Sequence, residues 1–141
     1  MDFSTTFKIC GAGLAAARAR LDVVTSNLAN VNTTKTEDGG PYKKKSVSLT
    51  SEPIEGKFNS VMADALKSVK VEAVTEDANA VKMTYEPGHP DANADGFVAT
   101  PDINLMMEMA NMITASRSFE ANVTAFDATK NMALKTLEMG R

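Results

Sequence analysis

Tryptophan is absent from this chain of 141 residues, and cysteine and histidine occur once each. The lone Cys10 excludes an intrachain disulfide, so no covalent staple holds the fold. Aromatic residues make up only 6% of the chain, so a core must come from aliphatic side chains, which the 43% hydrophobic content supplies. There is no basic surplus: 15 Lys and Arg face 18 Asp and Glu, for a net charge of −3. That removes the electrostatic basis for binding nucleic acid. No stretch reaches the ~18–20 continuous apolar residues of a membrane span, so direct membrane insertion is not expected. The segment Ile9–Ala17 loosely imitates a signal-peptide core behind Lys8. Arg18 and Arg20 follow it at once and the same helical pattern continues to Val31, so no cleaved signal is expected.

The motifs of catalysis are missing as well. There is no GxSxG, no phosphate-cradling glycine loop and no HExxH. His89 has only Asp91 near it in sequence, too few groups for a metal site. No enzyme, cofactor or metal is expected. Lys43, Lys44 and Lys45 read as a solvated strand edge rather than a site for an anion. The nearest approach to a chemical motif is Asp91-Ala92-Asn93-Ala94-Asp95-Gly96, which matches the first six positions of an EF-hand loop. Position 12 is Asp102 rather than glutamate, and Pro87 and Pro90 forbid the incoming helix. A turn in which Asx side chains bond their own backbone is the better reading, with a calcium-binding loop module as an alternative.

Proline is also missing from both ends: Pro41, Pro53, Pro87, Pro90 and Pro101 all lie between residues 41 and 101. The chain thus divides into an N-terminal helix with its exit (1–34), a β-rich or irregular middle (35–101) and a C-terminal helix (102–141). Charge follows the same division, at +1, −3 and −1 respectively. The nearly neutral ends could pack side by side without strong repulsion.

What fills those ends is a repeating pattern. Phe3, Phe7, Cys10, Leu14, Ala17, Leu21, Val24, Leu28 and Val31 step by alternating fours and threes. So do Leu105, Met109, Met112, Ser116, Phe119, Val123, Phe126, Lys130, Ala133 and Leu137. This is the 3.5-residue period of a coiled-coil seam. Cys10 occupies a seam position, where it acts as a small buried apolar residue. Helices are expected over Ser4–Asn30, capped by Asp2 or Ser4, and over Ile103–Met139, capped by Asp102. The second would be ~55 Å long. Leu105–Ile113 is apolar over more than one stripe, which requires further neighbours.

In the middle, Ser46–Leu49, Lys67–Val74 and Ala80–Tyr85 alternate as strands do. Glu76–Asn79 reads as a hairpin connection between the last two, and Phe58, Met62 and Leu66 permit a short helix. The expected fold is therefore mainly α with a small β element: long terminal helices forming a coiled-coil layer and a β-rich or irregular middle. A subunit with its adhesive segments at both termini would complete its folding against copies of itself or its relatives.

Ser26-Asn27-Leu28-Ala29-Asn30-Val31-Asn32-Thr33, directly after a heptad helix, resembles the signature of the bacterial flagellar rod and hook axial proteins. Gly39-Gly40-Pro41-Tyr42-Lys43, Tyr85–Ala92, Gly96-Phe97-Val98, Ala115–Val123 and the ending Lys135–Arg141 narrow the likeness to its proximal rod members. The resemblance implies a structural subunit of the basal-body rod that leaves through the flagellar type III export apparatus. Its implied partners are other copies of itself and other rod proteins. On this chain the assembly residues would be Phe7, Leu14, Leu21, Val24, Asn27, Leu28, Asn30, Val31 and Asn32 at the N-terminal end. At the C-terminal end they would be Met109, Met112, Phe119, Asn122, Val123, Phe126 and Leu137. The asparagine-rich turns are expected to hydrogen-bond between subunits. A generic coiled-coil adaptor would explain the seams but not the proline-bounded middle blocks.

Overall fold

A computed structural model of the chain describes residues 3–37, 39–54 and 66–140. Helix α1 spans Phe3–Ala29, strand β1 Lys45–Pro53, β2 Lys67–Glu76, β3 Val81–Tyr85, β4 Phe97–Pro101 and helix α2 Leu105–Met139. Two long helices and two small antiparallel sheets are the fold expected in outline.

The helix ends have local causes. At the exit of α1 the Asn30 side chain donates to the Ser26 carbonyl at 2.9 Å, and Thr33 Oγ1 donates to Asn30 Oδ1 at 3.2 Å. They brace the exit, while the Val31 N–H reaches the Leu28 carbonyl at 3.5 Å and the Thr33 N–H the Asn30 carbonyl at 3.1 Å, satisfying carbonyls that the last helical turn leaves open. The start of α2 differs from the expectation: its cap is Asn104, whose Oδ1 accepts from the Met107 N–H at 3.1 Å, not Asp102. Pro101 is still paired with Val81 in the β ladder, and the Asp102 N–H donates to the Ala80 carbonyl at 2.8 Å. The chain cannot coil until it has left the sheet. The candidate Asp2 cap, Phe58 and Met62 lie outside the described residues, while Leu66 precedes β2 without being helical.

The three expected strands exist, but their pairing is different. β2 does not form a hairpin with β3. It pairs antiparallel with β1, from Lys45↔Glu76 to Pro53↔Lys67, with a register shift between Ser48 and Leu49. β3 pairs with β4, which the alternation pattern did not suggest. The reason lies at the end of β2. The Asp77 N–H donates to the Lys44 carbonyl at 2.9 Å, extending the ladder past Glu76, and Asp77 Oδ1 accepts from the Asn79 N–H. The segment read as a hairpin turn is a corner that sends the chain into a second sheet.

α1 and α2 run antiparallel. Phe7 meets Phe126 with ring centroids 5.0 Å apart, Gly13 faces Asn122, and Asn27 meets Glu108. Cys10, Ala17 and Val24, all on the expected α1 seam, are buried, as is Ala16. On α2 the packing face is rotated from the expected one. Its buried residues are Glu108, Ala115 and Thr129, and with Asn122 they recur every seven residues. Met112, Phe119, Phe126 and Ala133 are half-buried beside them. The expected seam members Leu105, Met109, Val123 and Leu137 are exposed. Half of the seam is shared and half shifts by one residue, a turn of about 50° about the helix axis. Small residues at the contact allow this: any Cβ on Gly13 would lie 2.7 Å from Asn122 Oδ1, so the two backbones approach closely there.

Candidate assembly site

Where α1, β1 and α2 converge, a polar knot is sealed from solvent. Asn27 is 1% exposed and Glu108 2%. Asn27 Nδ2 donates to the Lys45 carbonyl at 2.9 Å and to Glu108 Oε2 at 3.2 Å. Its Oδ1 accepts from the Lys45 N–H at 2.9 Å and from the Tyr42 hydroxyl at 3.0 Å. All four hydrogen-bonding positions of the amide are thus filled. Because the Lys45 N–H only donates and its carbonyl only accepts, the amide can sit in only one orientation. The side chain bonds Lys45 as a neighbouring strand would, at the first residue of β1. Lys44 Nζ closes the knot 3.1 Å from Glu108 Oε1, and Ser26 Oγ lies 3.0 Å from the Tyr42 hydroxyl. No buried side-chain nitrogen or oxygen lacks a partner among the described residues. Removing any one member would strand the others, at about 1–3 kcal/mol per unsatisfied group.

The knot also shapes the loop between α1 and β1. The Tyr42 N–H donates to the Thr33 carbonyl at 3.1 Å and the Thr36 N–H to the Gly40 carbonyl at 2.8 Å. Gly39 has φ +82°, which suits a residue without a Cβ. Thr34 Oγ1 reaches Asp91 Oδ2 at 2.8 Å, tying this loop to the one between β3 and β4. In the second loop Asn93 Oδ1 accepts from the N–H groups of Asp95 and Phe97, at 3.1 and 2.8 Å. The Asn93 oxygen that an EF-hand would aim at calcium is turned onto the chain's own backbone in an Asx turn, and Asp91 Oδ2 is taken by Thr34. Among the described residues no group of three or more His, Cys, Asp or Glu side chains could hold a metal ion.

The sequence-derived assembly residues fall into three sets. Val24 and Asn27 are buried, and Phe7, Asn30, Met112, Phe119, Asn122 and Phe126 are half-buried in the α1–α2 contact or the α1 exit. Leu14, Leu21, Leu28 and Val31 are half-buried. Asn32, Met109, Val123 and Leu137 are exposed. The leucines sit four residues past the buried Cys10, Ala17 and Val24, and Met109 and Val123 sit four past Leu105 and Phe119. In an antiparallel pair these offsets bring both stripes to one side of the hairpin. The opposite side is covered: Leu49, Lys67 and Val69 of the β1–β2 sheet line a cleft there with Gly13, Ala16, Ala115 and Asn122. The hairpin therefore has a covered side and an open apolar side. Missed by the pattern were Tyr42, Lys44 and Glu108. The one signal for Glu108 was an acid set alone in the apolar run Leu105–Ile113.

This is the build of a structural protein: long helices, an open apolar side, and buried polar groups that hold shape rather than await a substrate. The family model described as flagella basal body rod protein matches residues 10–35. A second, flagellar basal body rod FlgEFG protein C-terminal, matches residues 94–139. The flagellar basal-body rod protein FlgC of Bacillus subtilis is 41% identical over 96% of this chain and 97% of its own length. That of Salmonella typhimurium is 40% identical over 96% of both chains. The protein of the same name from Borreliella burgdorferi is 35% identical over 94% and 93%. The chain belongs to the FlgC family of flagellar basal-body rod proteins. It is a structural subunit of the rod, located in the flagellar basal body. None of its described helices is long and apolar enough to cross a membrane.

Proposed function

We propose that this chain polymerises in the proximal rod through its terminal helices, with the open side of the α1–α2 hairpin contributing to a coiled-coil layer. The partners are other copies of the chain and other rod proteins. One observation carries this reading: Met109 is 47% exposed, Val123 38% and Leu137 71%, on a helix whose intrachain contact uses other residues. Apolar side chains at helical spacing, left uncovered beside Leu14, Leu21 and Leu28, await another helix. Met106, Met107 and Ile113 widen the apolar arc beyond one stripe, which suits several unlike neighbours, and methionine adapts to contacts that differ from copy to copy.

Asn27 and Asn30 take part in this reading from inside the subunit, by shaping the hairpin and its loop. Asn32 is the exposed asparagine of the motif and is left to meet a neighbour. Passage through the flagellar type III export apparatus without a cleaved signal belongs to the same reading. Isolated helices are marginal in water, so a chain held together by small residues opens readily. The test is Leu137→Glu in cells that depend on this chain. Unchanged circular dichroism with loss of assembled rods is the expected result. Rods of normal number would overturn the reading.

A further inference from the structure

One apolar surface lies apart from the hairpin. Tyr85 and Phe97 form the last pair of the β3–β4 ladder, with ring centroids 5.3 Å apart in an edge-to-face arrangement. Tyr85 is 64% exposed, and Met83, two residues back on the same face, is 60% exposed. The Tyr85 ring lies across Gly96, where a Cβ would come within 2.9 Å of Tyr85 Cε2. An aromatic pair held this firmly yet turned to solvent is an unpartnered sheet face.

The far end of this face, at Val81 and Ala99, shares a cleft with Lys43 and Lys45, but the charges next to the rings along the chain are acidic. Between Lys82 and Arg117 there is no lysine or arginine, but there are Glu86, Asp91, Asp95, Asp102 and Glu108. Glu108 is neutralised by Lys44, and Asp91 accepts from Thr34. Glu86 directly follows Tyr85, and Asp95 lies two residues before Phe97. Among the described residues, neither takes part in an ion pair. The ledge calls for a partner that is small-featured and basic.

The outer face of α1 fits that description. Lys8, Gly11, Ala15 and Arg18 share one exposed helix face, at i, i+3, i+7 and i+10. Asp22, one turn beyond Arg18, continues this face, which thus carries two basic residues and one acid, while Arg20 lies toward the β1–β2 sheet. Gly11 weakens the helix relative to alanine, and nothing among the described residues requires it, because its Cβ would meet none of their atoms within 4 Å. Gly13, two residues on, is required by Asn122. A ring lying on Gly11 from outside would account for the difference.

Resting on the reading that copies of this chain pack together, we infer that the Tyr85–Phe97 ledge of one copy docks on the outer face of α1 of a second copy. The rings lie over Gly11 and Ala15, and Glu86 and Asp95 meet Lys8 and Arg18. The two basic residues stand about 15 Å apart along the helix, and their long side chains reach inward to flank the rings.

The test is a charge exchange in cells that depend on the full chain, with rods counted in isolated basal bodies. Lys8→Glu with Arg18→Glu, or Glu86→Lys with Asp95→Lys, sets like charges face to face and is expected to cut rod number about tenfold. Combining all four exchanges restores opposite charges and is expected to restore rods to within about threefold of the parent. Reversals without effect, or a combined variant that folds but stays as defective as either pair, overturn the inference. If Leu137→Glu abolishes rods while the reversals do not, only this contact fails. If neither affects rods, the helix-based reading fails with it.

Discussion

The side chains of Asn27 and Glu108 meet at 3.2 Å across 81 residues of sequence, both almost wholly buried. One comes from the last turns of α1 and the other from the first turn of α2. The pair fixes where one helix lies along the other, and through Lys45 and Tyr42 it fixes where β1 begins.

Replacing Asn27 by leucine keeps the number and branching of side-chain heavy atoms and strands four partners: the Lys45 N–H and carbonyl, the Tyr42 hydroxyl and Glu108. Stability to urea should fall by about 2–4 kcal/mol, the sum of partly relaxed losses of about 1–3 kcal/mol each. Asn27→Asp keeps the acceptor but sets a carboxylate beside Glu108, and should cost at least as much. A loss below about 0.5 kcal/mol in either variant would show that the knot does not hold the hairpin.

Gly11 and Gly13 should respond oppositely to alanine. Gly11→Ala meets open space and should stabilise the isolated chain by about 0.5–1 kcal/mol, the helix-propensity difference. Gly13→Ala places a methyl group 2.7 Å from Asn122 Oδ1. The same gain should therefore be cancelled or reversed there, and should reappear when Asn122→Ala is added. Thermal melts of the four variants form a double-mutant cycle, and additivity within it would mean the helices are not in contact at this point.

Gly96 is constrained twice, by φ +79° and by the Tyr85 ring above it. Gly96→Ala should cost about 1–3 kcal/mol, the range for a non-glycine residue held in a sparsely populated conformation. Adding Tyr85→Ala should recover the steric part and leave the backbone part. Full recovery would show that the turn itself is unstrained.

Ala17→Asp and Leu21→Asp test the two sides of α1. Ala17 is buried against α2, so a carboxylate there should unfold the hairpin, seen as lost helical dichroism. Leu21 is half-buried on the open side. Leu21→Asp should leave helix content nearly intact while rods fail to incorporate the chain. Unfolding by both, or assembly with both, would contradict the division into covered and open sides.

Much of this protein can be read along the chain. The two helices, their near-limits, three of four strands and the proline-bounded middle all follow from local periodicity, turn chemistry and the exclusion of proline from helices. These depend on neighbours a few residues away. The Asn27–Thr33 motif and the blocks around Pro41 and His89 were enough to indicate the family.

Three features were settled only by folding: which strand pairs with β2, which stripe of α2 faces α1, and what Asn27 bonds. Each compares contacts between segments far apart, and the local pattern is degenerate for all three. Alternation marks a strand without naming its partner. The first half of α2 is apolar over so wide an arc that several rotations satisfy the same spacing. The chosen rotation brings Ala115 and Asn122 against α1 where Gly13 permits close approach, and lets Glu108 reach Asn27 and Lys44. It leaves Met109, Val123 and Leu137 outside because each lies one residue beyond the seven-residue repeat that runs through Glu108, Ala115, Asn122 and Thr129.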